Sequence, residues 1–99
     1  MFEIKEGEGG TLILSGRLDA AQETKARAVF DALTEPCVVD LKDLAYISSL
    51  GLGILLKTQK RLKAASGQGL TLIHVSPHIH DVFRYSGFDQ VFDIRPGST

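Results

Sequence analysis

Ser48 and Ser49 are adjacent hydroxyls, followed at once by Leu50-Gly51-Leu52-Gly53 and the apolar run Ile54-Leu55-Leu56. Each glycine costs a helix interior about 1 kcal/mol relative to alanine, so two in one first turn imply a close approach to the backbone there. A helix start also leaves backbone N–H groups without partners, and together with the helix dipole these favour an anion. A phosphate on either serine is therefore compatible with this position. The plainer role is an N-cap, which a helix start needs and serine supplies well. Residue types alone leave both roles open.

The remaining reactive groups offer less. His78 and His80 lie two apart at a helix start and point in different directions, so no metal site is expected from them. His74 is the one histidine in a strand-like stretch, hence the one candidate for phosphotransfer through histidine. Cys37 is the single cysteine and sits in an apolar run, where it reads as a small buried hydrophobe. Gly51-Leu52-Gly53 lacks the third glycine of a dinucleotide fingerprint, and there is neither a phosphate loop nor a Cys-x-x-Cys pair. No nucleophile–base pair can be named, so the expectation is a protein with no catalytic residues, no metal and no cofactor. Lys57, Lys60, Arg61 and Lys63 form a basic cluster with no acid from Leu50 to Ala65. That cluster reads as a solvated face complementing the negative helix end, as a docking face for an acidic partner, or as both.

The elements that position these groups follow from periodicity and turn chemistry. Phe2 and Ile4 alternate with charges, predicting a short edge strand, and Gly7-Glu8-Gly9-Gly10 predicts a hairpin connection to a second strand over 11–15 closed by Gly16. Asp19 can cap a helix over 20–33, with Ala21, Ala28, Val29, Ala32 and Leu33 on one stripe and Pro36 as its stop. The apolar run 37–41 predicts a buried parallel strand, with 42–47 leading out of it. A helix over 49–65 presents Leu52, Leu55, Leu56 and Leu62 to the sheet and ends at Gly67-Gln68-Gly69. A strand over 70–75 follows, then a helix opened by Ser76-Pro77 and closed by Gly87, then a strand over 91–94 and a frayed tail over 95–99. The order β-β-α-β-α-β-α-β predicts a single α/β domain over 1–99. It has a mixed, mostly parallel sheet of about five strands with three or four packed helices.

Composition narrows the function classes. The 99 residues carry 11 Lys and Arg against 12 Asp and Glu, a net charge of -1 that argues against sequence-independent nucleic-acid binding. No apolar run approaches the ~18 residues of a membrane span, and the opening residues lack the layout of a signal peptide. The expected setting is the cytoplasm.

The chain resembles the STAS domains of bacterial anti-sigma-factor antagonists along essentially its whole length. The likeness rests on Leu14-Ser15-Gly16-Arg17-Leu18-Asp19-Ala20, on Val39-Asp40-Leu41-Lys42-Asp43-Leu44-Ala45-Tyr46-Ile47 and the serines after it, on Val75-Ser76-Pro77, and on Val82-Phe83-Arg84-Tyr85-Ser86-Gly87-Phe88. The resemblance implies the STAS fold and a partner cycle. In that cycle the antagonist binds a serine-kinase anti-sigma factor, the kinase phosphorylates a serine at the start of the second helix and breaks the complex, and a serine phosphatase restores it. Where such families often have Asp-Ser-Ser/Thr-Gly-Leu-Gly, this chain has Ser48-Ser49-Leu50-Gly51-Leu52-Gly53, so Leu50 occupies the second hydroxyl position. Family members differ in which hydroxyl takes the phosphate; the second position would leave this chain without an acceptor. Ser49 is the favoured acceptor, with Ser48 behind it. Gly51 and Gly53 would admit the partner's backbone, Leu50 and Ile54 would offer an exposed apolar anchor, and Asp19 and Lys57 would touch the kinase. Asp19 has capping of the first helix as its alternative role. The competing class is a non-switched STAS accessory subunit of a transporter or signalling complex, which Leu50 leaves open.

Overall fold

Five strands lie side by side in chain order in the computed structural model, which describes residues 1–96. They are β1 (Phe2–Glu6), β2 (Leu12–Leu18), β3 (Cys37–Ile47), β4 (Leu70–Val75) and β5 (Asp93–Pro96). β1 runs antiparallel to β2, and every later neighbour is parallel. The helices are α1 (Glu23–Phe30), α2 (Ser49–Ser66) and α3 (Pro77–Tyr85). The predicted element order and mixed, mostly parallel sheet are the observed ones.

Each crossover adds the next strand to the same growing edge. With one handedness, that places α1, α2 and α3 on the same face of the sheet. A single core results: Ala26 and Phe30 from α1, Leu52, Leu55 and Leu62 from α2, and Ile79 and Phe83 from α3 meet the strands. Leu12, Val39, Leu72 and Ile94 form one row across β2 to β5 on that inner face. The opposite face is uncovered. Val38 is 37% exposed there and Ile13 and Ile73 are half-buried, so the run predicted as a fully buried strand is covered on one side only.

Several boundaries differ from expectation. β2 continues through Gly16 to Leu18, because Gly16 adopts φ 88 and bulges where Met1 crosses it. A Cβ at Gly16 would stand 1.8 Å from the Met1 carbonyl oxygen, which instead accepts from the Arg17 N–H. β3 takes in 42–47 as well, pairing with β2 up to Leu18↔Ile47. Residues 20–22 form a short 3₁₀ turn, and α1 ends at Phe30, well before Pro36. Its inner face is Ala26 and Phe30; Ala21, Ala28 and Ala32 are exposed. β5 lies two residues later than predicted and includes Arg95 and Pro96, so only 97–99 of the expected tail fall outside the described residues.

Two polar side chains lock α2 into this frame. Arg61 donates to the carbonyls of Phe30 and Leu33, closing the C-terminal end of α1. Buried Gln59 accepts from the Leu70 N–H at 2.6 Å and donates to the Val91 carbonyl at 2.8 Å, tying α2 to the start of β4 and the approach to β5.

Candidate functional site

The N-terminus of α2 stands at the C-terminal ends of β2 and β3, the end of a parallel sheet where helix starts and loops collect. The Ser48 N–H donates to the Leu18 carbonyl at 2.9 Å, which seats the turn into α2 beside the end of β2. Ser48 is extended (φ -85, ψ 169), and its Oγ accepts from the Gly51 N–H at 3.1 Å. It is the N-cap of α2. Ser49 is the first helical residue and is exposed, and among the described residues its hydroxyl has no hydrogen-bond partner.

The other residues of the motif separate by direction. A helix advances ~100° per residue, so the two glycines, two positions apart, face opposite sides. Gly51 is buried: a Cβ there would meet Leu18 Cγ at 2.8 Å and Ile47 Cγ1 at 3.0 Å. The close approach implied by the sequence is real at Gly51, but it comes from the domain's own sheet and not from a partner. Gly53 is exposed, with nothing within 4 Å of a Cβ. Ile54 is 5% exposed and packs in the core, so it is not the exposed apolar anchor expected. Leu50 is half-buried, and Lys57 is exposed on the outer side of α2.

Asp19 follows Leu18 directly and is half-buried; its carboxylate accepts from the Ala21 N–H at 3.1 Å, capping the 3₁₀ turn. Next to it, the Arg17 guanidinium lies 4.3 Å from the ring centre of Tyr46 across the β2–β3 pair. Sequence reasoning assigned neither residue a role. The one available signal was that both precede the strand ends that carry Asp19 and Ser48.

The remaining candidates lie elsewhere. His74 adopts φ 55 in β4, and its Nδ1 sits 3.1 Å from Asp40 Oδ2 on the uncovered sheet face. His78 is exposed and His80 half-buried in the first turn of α3. Among the described residues no group of three or more His, Cys, Asp or Glu could hold a metal ion. Cys37 is only partly buried, at the start of β3; desolvation pushes its thiol pKa up, aided by Glu6 and opposed by a hydrogen bond with the Leu12 backbone. An open cavity of about 700 Å³, lined by Cys37, Gln59, Lys63, Gly69 and Arg95 among others, lies at the opposite end of the strands from Ser49. Its lining is a dispersed mixture of backbone and unlike side chains with no convergent chemistry, so size alone does not make it the site.

The family model described as "Mlab, STAS domain" matches residues 1–96. The chain belongs to the STAS family. This STAS domain is 38% identical over 72 residues to the "putative anti-sigma factor antagonist BtrV" of Bordetella bronchiseptica. That match covers 73% of this chain and 61% of BtrV, so it spans less than two thirds of that relative. It is also 30% identical over 91 residues to the anti-sigma F factor antagonist of Lysinibacillus sphaericus, covering 87% of this chain and 77% of that one. In fold it matches unphosphorylated SpoIIAA with a TM-score of 0.70, covering 95% of this chain and 87% of SpoIIAA at 22% identity. For the phosphorylated form of SpoIIAA from Bacillus the TM-score is 0.65, at the same identity, covering 95% and 90%. These two likenesses concern the fold alone. Among the described residues, no helix of this STAS domain is long and apolar enough to cross a membrane.

Proposed function

We propose that this STAS domain is an anti-sigma-factor antagonist working in the cytoplasm. It binds a serine-kinase anti-sigma factor, is released when that kinase phosphorylates Ser49, and is restored by a serine phosphatase. The observation that carries the reading is the division of labour between the two serines. Ser48 Oγ is engaged by the Gly51 N–H as the helix cap, while Ser49 Oγ is exposed at the first helical position. In the transfer, Ser49 Oγ bonds to the γ-phosphorus of ATP, the bond to the ADP oxygen breaks, and the hydroxyl proton passes to a base of the kinase.

The domain need not refold to respond. A phosphate adds about -1.5 to -2 charges at the positive end of α2, where the helix tolerates it, but in the centre of a docking face. An interfacial penalty of ~3 kcal/mol lowers affinity about a hundredfold. Asp19, Leu50, Gly53 and Lys57 are the residues offered to the partner; Gly51 and Ile54 act from beneath by setting the pitch of α2 on the sheet. A second reading, a non-switched accessory subunit, is favoured by Leu50 standing at the second hydroxyl position.

The test is intact-mass and site-mapping spectrometry of the domain after incubation with ATP and each purified serine-kinase anti-sigma factor of the source organism. One phosphate on Ser49, lost in Ser49→Ala, is the expected result. Tight binding without any phosphate would make it a constitutive antagonist, and neither binding nor phosphate would promote the accessory-subunit reading.

A further inference from the structure

The outer face of α2 carries a pattern that the serine motif does not account for. At ~100° per residue, Ser49, Lys60, Gly53, Ala64 and Lys57 fall within an arc of about 80°, directly opposite the buried side of the helix. All five are exposed. The stripe thus runs from the hydroxyl of Ser49, past the bare backbone at Gly53, to two lysines in the second half of the helix. Among the described residues no ion pair involves Lys57, Lys60 or Lys63, whereas Arg61 is engaged with the end of α1. α2 holds four of the eleven basic residues and no acid, leaving seven basic against all twelve acidic residues elsewhere in the chain. The domain is therefore strongly polarised despite its near-neutral total. Capping of the negative helix end explains only part of this, because Lys57 lies in the middle of the 18-residue helix.

We infer that the surface docking on this stripe is acidic and is recognised by Lys57 and Lys60, with the partner lying along α2 from Ser49 to about Ala64. This rests on the antagonist reading and extends its footprint about three turns beyond the serine motif. It also supplies a physical reason for release: a partner held by carboxylates against Lys57 and Lys60 is repelled by a phosphate at Ser49 on the same face, ~12 Å from Lys57 and ~16 Å from Lys60 along the axis. Gly53 sits between them and keeps the approach open.

The experiment measures association rate and Kd between the domain and each serine-kinase anti-sigma factor of the source organism, without ATP, at low and high salt. The variants are Lys57→Glu/Lys60→Glu and Lys57→Gln/Lys60→Gln, with Lys5→Glu on exposed β1 as the control. The charge reversal is expected to weaken binding about ten-fold at ~50 mM salt, mostly through the association rate, and to fall within about two-fold of wild type at ~500 mM. The glutamine pair is expected to lose less, and Lys5→Glu almost nothing. Wild type binding with both lysine variants within two-fold of it at low salt would overturn the inference and leave the antagonist reading standing. If wild type binds none of the kinases, the antagonist reading itself falls and this footprint with it.

Discussion

Gly51 and Gly53 are two positions apart in one helix turn, yet the structure gives them opposite roles, and the same substitution at each makes the difference measurable. Alanine at Gly53 meets nothing within 4 Å. It should therefore yield most of the helix-propensity gain, up to about 1 kcal/mol, raising Tm by about 4–8 °C in a domain of this size. Alanine at Gly51 has the same propensity gain, but its Cβ arrives 2.8 Å from Leu18 Cγ and 3.0 Å from Ile47 Cγ1. Both neighbours are core residues, with Leu18 at 0% and Ile47 at 3% exposure. Carbon atoms prefer ~3.5–4.0 Å, so α2 must lift or these side chains must leave their rotamers. Overpacking of that kind costs about 1–3 kcal/mol. The net loss should be about 1 kcal/mol, which separates the two variants by about 2 kcal/mol. Urea unfolding with a common slope reads the difference directly. A Gly51→Ala protein as stable as wild type, or a Gly53→Ala protein no more stable, would refute the assignment of the two faces. On the antagonist reading, Gly53→Ala should also weaken kinase binding while stabilising the domain, since its methyl stands on the docking stripe.

Other perturbations separate structural from functional roles. Ser48→Ala removes the cap on Gly51 and should cost about 1 kcal/mol in unfolding measurements, whereas Ser49→Ala should leave stability within ~0.5 kcal/mol and abolish phosphate uptake. Gln59→Leu leaves the Leu70 N–H and the Val91 carbonyl without their partner, and denaturant titration should show a loss of about 1–3 kcal/mol for the orphaned pair. Burial holds the proton on Cys37, so its thiolate fraction at neutral pH is below that of a free thiol. Its alkylation by iodoacetamide should be slower than glutathione's at pH 8 and still climbing with pH above the ordinary 9.0; a rate that levels off below that pH would contradict the burial.

Much of this protein was legible from its residues. Alternating and helical apolar spacing gave the number, kind and order of elements, because those periods are properties of local backbone geometry. Asp19 and Ser76 as caps and Gly67 as a terminator were legible, since caps depend on residues only a few positions away; that Ser48 and not Ser49 caps α2 came from the structure. α1 was overextended because its alanines favour helix without marking a face. Only packing chose Ala26 and Phe30 as the inner pair, with Arg61 closing the end from another helix.

Local sequence located the serine motif and the basic cluster; what it left undecided was direction. Whether Gly51 serves the partner or the sheet depends on where Leu18 and Ile47 sit, and these come from two strands paired across about thirty residues of chain. Ile54 reads as an anchor until the sheet covers it, and Ser49, Lys57 and Lys60 share one helix side by spacing alone, but only the packing of α2 on the core turns that side to solvent. The uncovered sheet face has the same origin: three crossovers advancing toward one edge put every helix on one side. Spacing along the chain specifies which residues share a helix, but which side of that helix meets solvent is set by contacts between distant segments.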